Sequence, residues 1–309
     1  MKVVPAALMI LASLPSVTEG LRGWIVEKMI FQPSRSVDYT PERLGMKAEE
    51  LFLEAEDGTK IHAYYVPAQP GPRRTEAFSS PGDPRAILFL HGNAGNASHR
   101  LPNAWLLAAL RADVLLIDYR GYGLSEGDPS EAGVYADARA GFDHLVQERA
   151  FPLDRIVVFG RSLGSVVAVN LAVDRPLGGL ILESAFPSAS AAAKSIFGSF
   201  GSWFARGRFD SRDKIQRIRS PLLSIHGDVD EIIPFDLGVE LFELAPEPKA
   251  FYRIEDAGHN NTVQVGGEAY LRRIGAFLND VVPDMRSPVT EGDEAALPHG
   301  ERDAEQEPS

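Results

Sequence analysis

Short apolar runs alternate with helical spacing through most of this chain. Leu51–Ala55 and Lys60–Val66 flank Asp57-Gly58, a pair that favours a tight hairpin turn. Six further runs, rich in β-branched residues or leucine, follow at Ala86–Leu90, Val114–Ile117, Ile156–Phe159, Leu180–Leu182, Leu222–Ile225 and Ala250–Ile254. Apolar positions at helical spacing separate most of them, notably in Ser130–Glu148, Leu163–Val173, Phe235–Leu244 and Val263–Leu278. This pattern predicts one α/β domain: an eight-stranded, mostly parallel sheet with helices on both faces.

The two ends depart from the pattern. After Met1-Lys2 an apolar stretch runs from Val3 to Val17, broken by Pro5, Ser13 and Pro15 and closed by Glu19. A lipid-spanning helix needs about 20 apolar residues, whereas a signal-peptide core needs roughly 7–15. Residues 1–20 therefore read as an export signal, with Ser16 and Thr18 before the cut. An uncleaved membrane anchor extended through Leu21–Phe31 and a buried helix are the alternatives, so the expected location is exported or membrane-anchored, with the cytoplasm left open. Residues 21–45 read as a connecting segment and 46–282 as the domain. Residues 283–309 read as a disordered acidic tail, too polar to offset the entropy of ordering. Pro67 to Pro84 reads as a surface loop.

Composition narrows the chemistry. Of the 309 residues, 44% are hydrophobic and 24% charged, which excludes a disordered polymer or a polytopic membrane protein. The net charge of −12 argues against a broad nucleic-acid surface, and half of it lies beyond residue 280. There is no cysteine, so a disulfide, a thiolate metal site and a thiol nucleophile are all excluded. A nucleophile would have to be an oxygen.

In open α/β sheets ligands bind outside the carboxyl ends of the strands. Ile156–Phe159 is followed by Gly160-Arg161-Ser162-Leu163-Gly164, a G-x-S-x-G turn between strand and helix. Its glycines permit a turn tight enough to project Ser162 near the positive end of the next helix. Serine needs a base to become nucleophilic. Among seven histidines, His299 lies in the tail, His144 inside a helical pattern and His62 in the hairpin. His259 follows the last strand and is the candidate base. A carboxylate should orient it. Asp228, Asp230 and Glu231 all follow Leu222–Ile225, with Asp228 suited to closing the turn and Glu183 in reserve. The oxyanion needs amide donors, expected from the backbone of Leu163 and of Asn93 in His91-Gly92-Asn93-Ala94-Gly95-Asn96. His91 reads as structural, and its spacing to His99 suits no metal site. Asp118 and Tyr119 read as loop-fixing residues.

These segments resemble the α/β-hydrolase superfamily over about Phe31 to Leu278. The order Ser162, Asp230, His259 matches its nucleophile–acid–base order, and the resemblance selects Asp230 among the acids. More narrowly, Phe31-Gln32-Pro33-Ser34-Arg35, the His91–Asn96 loop, Asp118-Tyr119-Arg120-Gly121-Tyr122-Gly123-Leu124-Ser125 and the serine turn resemble the bud-emergence-type branch of small-lid serine hydrolases. Members of that branch often carry a hydrophobic amino-terminal segment. The room for a lid is short, about residues 186–214, with Phe197, Phe200, Trp203, Phe204 and Phe209 either packed on the body or walling an acyl site. The resemblance implies a serine hydrolase acting on a small acyl substrate, ester or thioester, through an acyl-enzyme and without cofactor or metal. Aminopeptidase-like amide cleavage and a non-catalytic binding protein are the alternatives, and the substrate-binding residues are not indicated.

Overall fold

A computed structural model describes Glu27, residues 30–69 and residues 84–282. The expected export signal or anchor at 1–20, the acidic tail at 283–309 and most of the Pro67–Pro84 loop lie outside the described residues.

Among the described residues ten strands form, in chain order: β1 (Gln32–Pro33), β2 (Glu49–Glu54), β3 (Lys60–Val66), β4 (Ala86–Leu90), β5 (Ala94–Gly95), β6 (Asp113–Ile117), β7 (Ile156–Arg161), β8 (Gly179–Glu183), β9 (Leu222–Gly227) and β10 (Lys249–Ile254). Eight of them make one sheet in the order β10-β9-β8-β7-β4-β6-β3-β2. The β2–β3 and β3–β6 pairs are antiparallel and the other pairs parallel. Every residue of β4, β7, β8 and β9 is buried, as expected of parallel strands covered on both faces. Edge strand β2 buries only Leu53 fully, and it carries the polar alternation.

Among the described residues these α-helices accompany the strands: α1 (Leu101–Ala108), α2 (Glu131–Gln147), α3 (Leu163–Asp174), α4 (Ala189–Phe204), α5 (Arg212–Ile215), α6 (Phe235–Leu244) and α7 (Thr262–Val281). Successive side chains of a strand point to opposite faces. Leu88 and Leu90 therefore join a core with Val134, Phe142 and Val166 of α2 and α3. Ile87 and Phe89 join the other core, with Leu101 and Leu107 of α1 and Tyr270 and Ile274 of α7. The order reverses at β4, with β6 on one side and β7 on the other, which opens a crevice at their carboxyl ends.

Two features differ from the sequence expectation. α1 was not among the expected helices, being short and starting with Pro102 in its first turn. The segment read as a connector supplies β1, which pairs in parallel with β5, Gln32 opposite Ala94 and Pro33 opposite Gly95. Residues 186–214 form α4, kinked at Gly198, and the short α5.

Candidate active site

The crevice is floored by the turn from β7 to α3. Ser162 sits there at φ 52°, ψ −117°, a left-handed backbone that side chains rarely adopt. Its neighbours explain how the chain tolerates it. A Cβ on Gly164 would lie 1.9 Å from the Leu90 carbonyl oxygen, and one on Gly160 2.3 Å from the Gly164 carbonyl oxygen. Only glycine at both positions lets α3 press onto β4. The Ser162 amide donates to Glu183 O at 2.8 Å and locks the turn to β8.

Three side chains distant in sequence meet at this turn. His259 Nε2 lies 3.1 Å from Ser162 Oγ, and His259 Nδ1 lies 2.8 Å from Asp230 Oδ2. With Asp230 ionised, Nδ1 carries the proton and Nε2 is free to accept from the hydroxyl. Asp230 and His259 are buried, 7% and 6% exposed. Burial opposes the Asp230 charge. His226 (Nε2 at 3.5 Å), His259 and the Ile233 amide outweigh it and hold the carboxyl well below the usual carboxylate range. Oδ1 accepts from the amides of Ile232 at 2.9 Å and Ile233 at 2.7 Å, which fixes the carboxylate plane.

The competing acids go elsewhere. Asp228 accepts from Arg253 Nε and Nη2 at 2.9 and 2.6 Å and from the Asp256 amide at 2.8 Å, closing the turn. Glu231 Oε2 accepts the His259 amide at 3.1 Å. Glu183, the reserve acid, is engaged by Arg161, whose Nε is 2.9 Å from Oε1.

On the opposite side, the His91–Asn96 loop lies against the serine turn: a Cβ on Gly92 would fall 3.4 Å from Ser162 Cβ. Leu163 opens α3, so its N–H has no partner within the helix. The Asn93 side chain is used for support, since Oδ1 accepts from the Gln32 amide at 3.0 Å and Tyr122 OH at 3.1 Å. β1 thus becomes a strap. Ser34 N donates to Gly95 O, and Asn96 Nδ2 donates to Ser34 O at 3.1 Å and Ser36 O at 2.6 Å. Arg35 then donates to Ser125 O at 2.5 Å and Gly127 O at 3.0 Å. The sequence of Phe31–Arg35 does not signal this role, because a two-residue pairing carries no periodicity.

Buried Asp118 accepts from the Ala97 amide at 2.7 Å and contacts His62 Nδ1 at 2.8 Å, and Tyr119 OH donates to His91 O at 3.1 Å. Burial works against the Asp118 charge, but His62 and His91 keep the carboxyl below its ordinary value. His99 contacts Asp38 at 2.7 Å. In the lid region Phe209 is buried edge-on against Phe31 and Tyr135, while Trp203 is 40% exposed. The side chains of Phe197, Phe200 and Phe204 lie outside the described set. Among the described residues no group of three or more histidine, aspartate or glutamate side chains is set to hold a metal ion, and no helix is long and apolar enough to cross a membrane.

Comparison with known proteins follows the same lines. The family described as alpha/beta hydrolase fold matches residues 85–211. Protein bem46 of Schizosaccharomyces pombe is 35% identical over 261 residues, covering 81% of this chain and 83% of the relative. The alpha/beta hydrolase domain-containing protein WAV2 of Arabidopsis thaliana is 32% identical over 286 residues, covering 84% and 89%. Among solved structures, a Pyrococcus furiosus esterase superposes with a TM-score of 0.66 at 22% identity, covering 82% of this chain and 98% of the other, a likeness of fold.

Proposed function

Because the chain belongs to the α/β-hydrolase fold family, we propose that it is a serine hydrolase that cleaves a small ester or thioester through an acyl-enzyme. One observation carries the reading: an unbroken line of contacts from Asp230 through His259 to Ser162, at 2.8 and 3.1 Å, on a turn that strains the serine outward.

In this mechanism His259 Nε2 takes the Ser162 proton as Oγ attacks the acyl carbon. Asp230 stabilises the imidazolium and stays ionised. The amides of Leu163 and Asn93 donate to the oxyanion. The intermediate collapses, the carbon–oxygen or carbon–sulfur bond breaks, and His259 returns its proton to the departing alcohol or thiol. Water then attacks the acyl-serine while His259 accepts a proton, the acid departs, and Ser162 Oγ regains that proton. No cofactor enters these steps.

A fluorophosphonate probe and a series of p-nitrophenyl esters of increasing acyl length test the proposal. Labelling and turnover that disappear in Ser162→Ala are the expected result. A folded wild-type protein that neither labels nor turns over any ester, thioester or amide overturns it.

A further inference from the structure

A base must be held where its nitrogen meets the hydroxyl, and here the restraint comes from the nucleophile's own strand. Arg161, the residue before Ser162, donates from Nη2 to the His259 carbonyl at 2.6 Å. Its Nε lies 2.9 Å from Glu183 Oε1 on the neighbouring strand β8. Two side chains of α7, the helix that follows the His259 loop, grip the same carboxylate. Tyr270 OH donates to Glu183 Oε2 at 2.5 Å and Thr262 Oγ1 to Oε1 at 2.8 Å. Arg161 is 7% exposed, and Glu183, Thr262 and Tyr270 are at most 3% exposed.

Such a pair is a poor way to gain stability, since desolvation takes back much of the attraction and an apolar replacement is often as good. What it offers is geometry. A guanidinium is rigid and planar, so a hydrogen bond at one edge and a carboxylate beside another fix its orientation, which an ammonium point charge does not achieve. Arg161 gives an aligned N–H to the backbone of the base, while its Nε edge stays in ion-pair contact with the carboxylate without an aligned hydrogen bond. The spacing between residues 162 and 259 is thereby set by one side chain whose Cα adjoins the serine.

We propose that Arg161, braced by Glu183 and Tyr270, is a positioning residue that fixes His259 against Ser162. This rests on the hydrolase reading above.

Tyr270→Phe, Glu183→Gln and Arg161→Lys in the full chain test it, with two readouts besides the melting temperature. The first is the split of ester turnover into kcat and KM. The second is the downfield proton resonance of His259 Nδ1–H bonded to Asp230, recorded on the resting protein. Each folded variant should lose about 10- to 100-fold in kcat at unchanged KM, the scale set by small misplacement of a reacting group, and its resonance should broaden or move upfield. Arg161→Lys should resemble Glu183→Gln rather than wild type. Folded variants with wild-type kcat and an unmoved resonance overturn the proposal. So does a kcat loss that only tracks the unfolded fraction. Tyr270→Phe deletes one hydroxyl and decides the matter if the charge variants fail to fold. Wild type without Ser162-dependent turnover would sink the hydrolase reading instead, while the resonance still reports on the clamp.

Discussion

The two loops that meet over Ser162 are held by opposite means. The His91–Asn96 loop is stitched by main-chain and amide hydrogen bonds to the part-exposed strap at Gln32–Arg35. The loop carrying His259 rests on a buried ion pair, Arg161 with Glu183, and on the ionised Asp230. In the proposed mechanism the first loop supplies a backbone N–H, whose direction a strand pairing helps to fix. The second is asked for a side chain, which needs its own carbonyl and ring held separately. Each hydrogen bond of the strap contributes about 0.5–1.5 kcal/mol net, whereas breaking one partner of a buried ion pair costs about 3–5 kcal/mol. Damage to the base side should therefore be costly and damage to the strap graded.

Substitutions can break or sharpen that contrast. Ser162→Ala removes the atom both loops serve, and turnover should fall roughly 10⁶-fold, as when a protease loses its serine, with the melting temperature little changed. Asp230→Asn leaves the ring contact but inverts its hydrogen-bond roles, so kcat should fall about 10⁴-fold, measured on the same ester.

The same variant carries a pH signature. The Asp230 carboxyl is depressed in the folded chain, so its contribution to stability is present above the unfolded value of about 4 and is lost as pH falls through the folded one. The stability gap between wild type and Asp230→Asn, read from urea melts, should be flat above about pH 5 and narrow below it.

Gly164→Ala strikes the floor shared by both loops. Its methyl would meet the Leu90 carbonyl oxygen at 1.9 Å, and urea unfolding should show a loss of about 3 kcal/mol or more. Arg35→Ala is the mildest. Two bonds to Ser125 and Gly127 carbonyls vanish from an exposed site, so kcat should drop roughly threefold to tenfold and stability by about 1 kcal/mol. A loss as large as that of Asp230→Asn would erase the contrast.

Much of this architecture was legible in the chain. The eight main runs became the eight strands: β4, β7, β8 and β9 are buried throughout and edge strand β2 alternates, while β10 at the other edge is only half-buried. Ser162 was legible because G-x-S-x-G between a strand and a helix encodes steric necessity in two glycines. His259 was found by its place after the last strand. Asp230 needed the family resemblance, since Asp228 and Glu231 are chemically equal to it on paper and differ only in where the loop turns them. The strap and the Arg161–Glu183 pair were not legible. The first depends on two residues without periodicity, and the second on a register in which Arg161 faces Glu183 across adjacent strands.

The strap also sets a floor on how far the amino end can be trimmed. A proteolytic cut upstream of Phe31 spares it, whereas a shortened chain starting at residue 46 would retain the serine, the imidazole and the carboxylate yet lose the scaffolding under Asn93. Such a fragment would keep every residue that a motif search checks for while lacking the strap that braces the loop of Asn93.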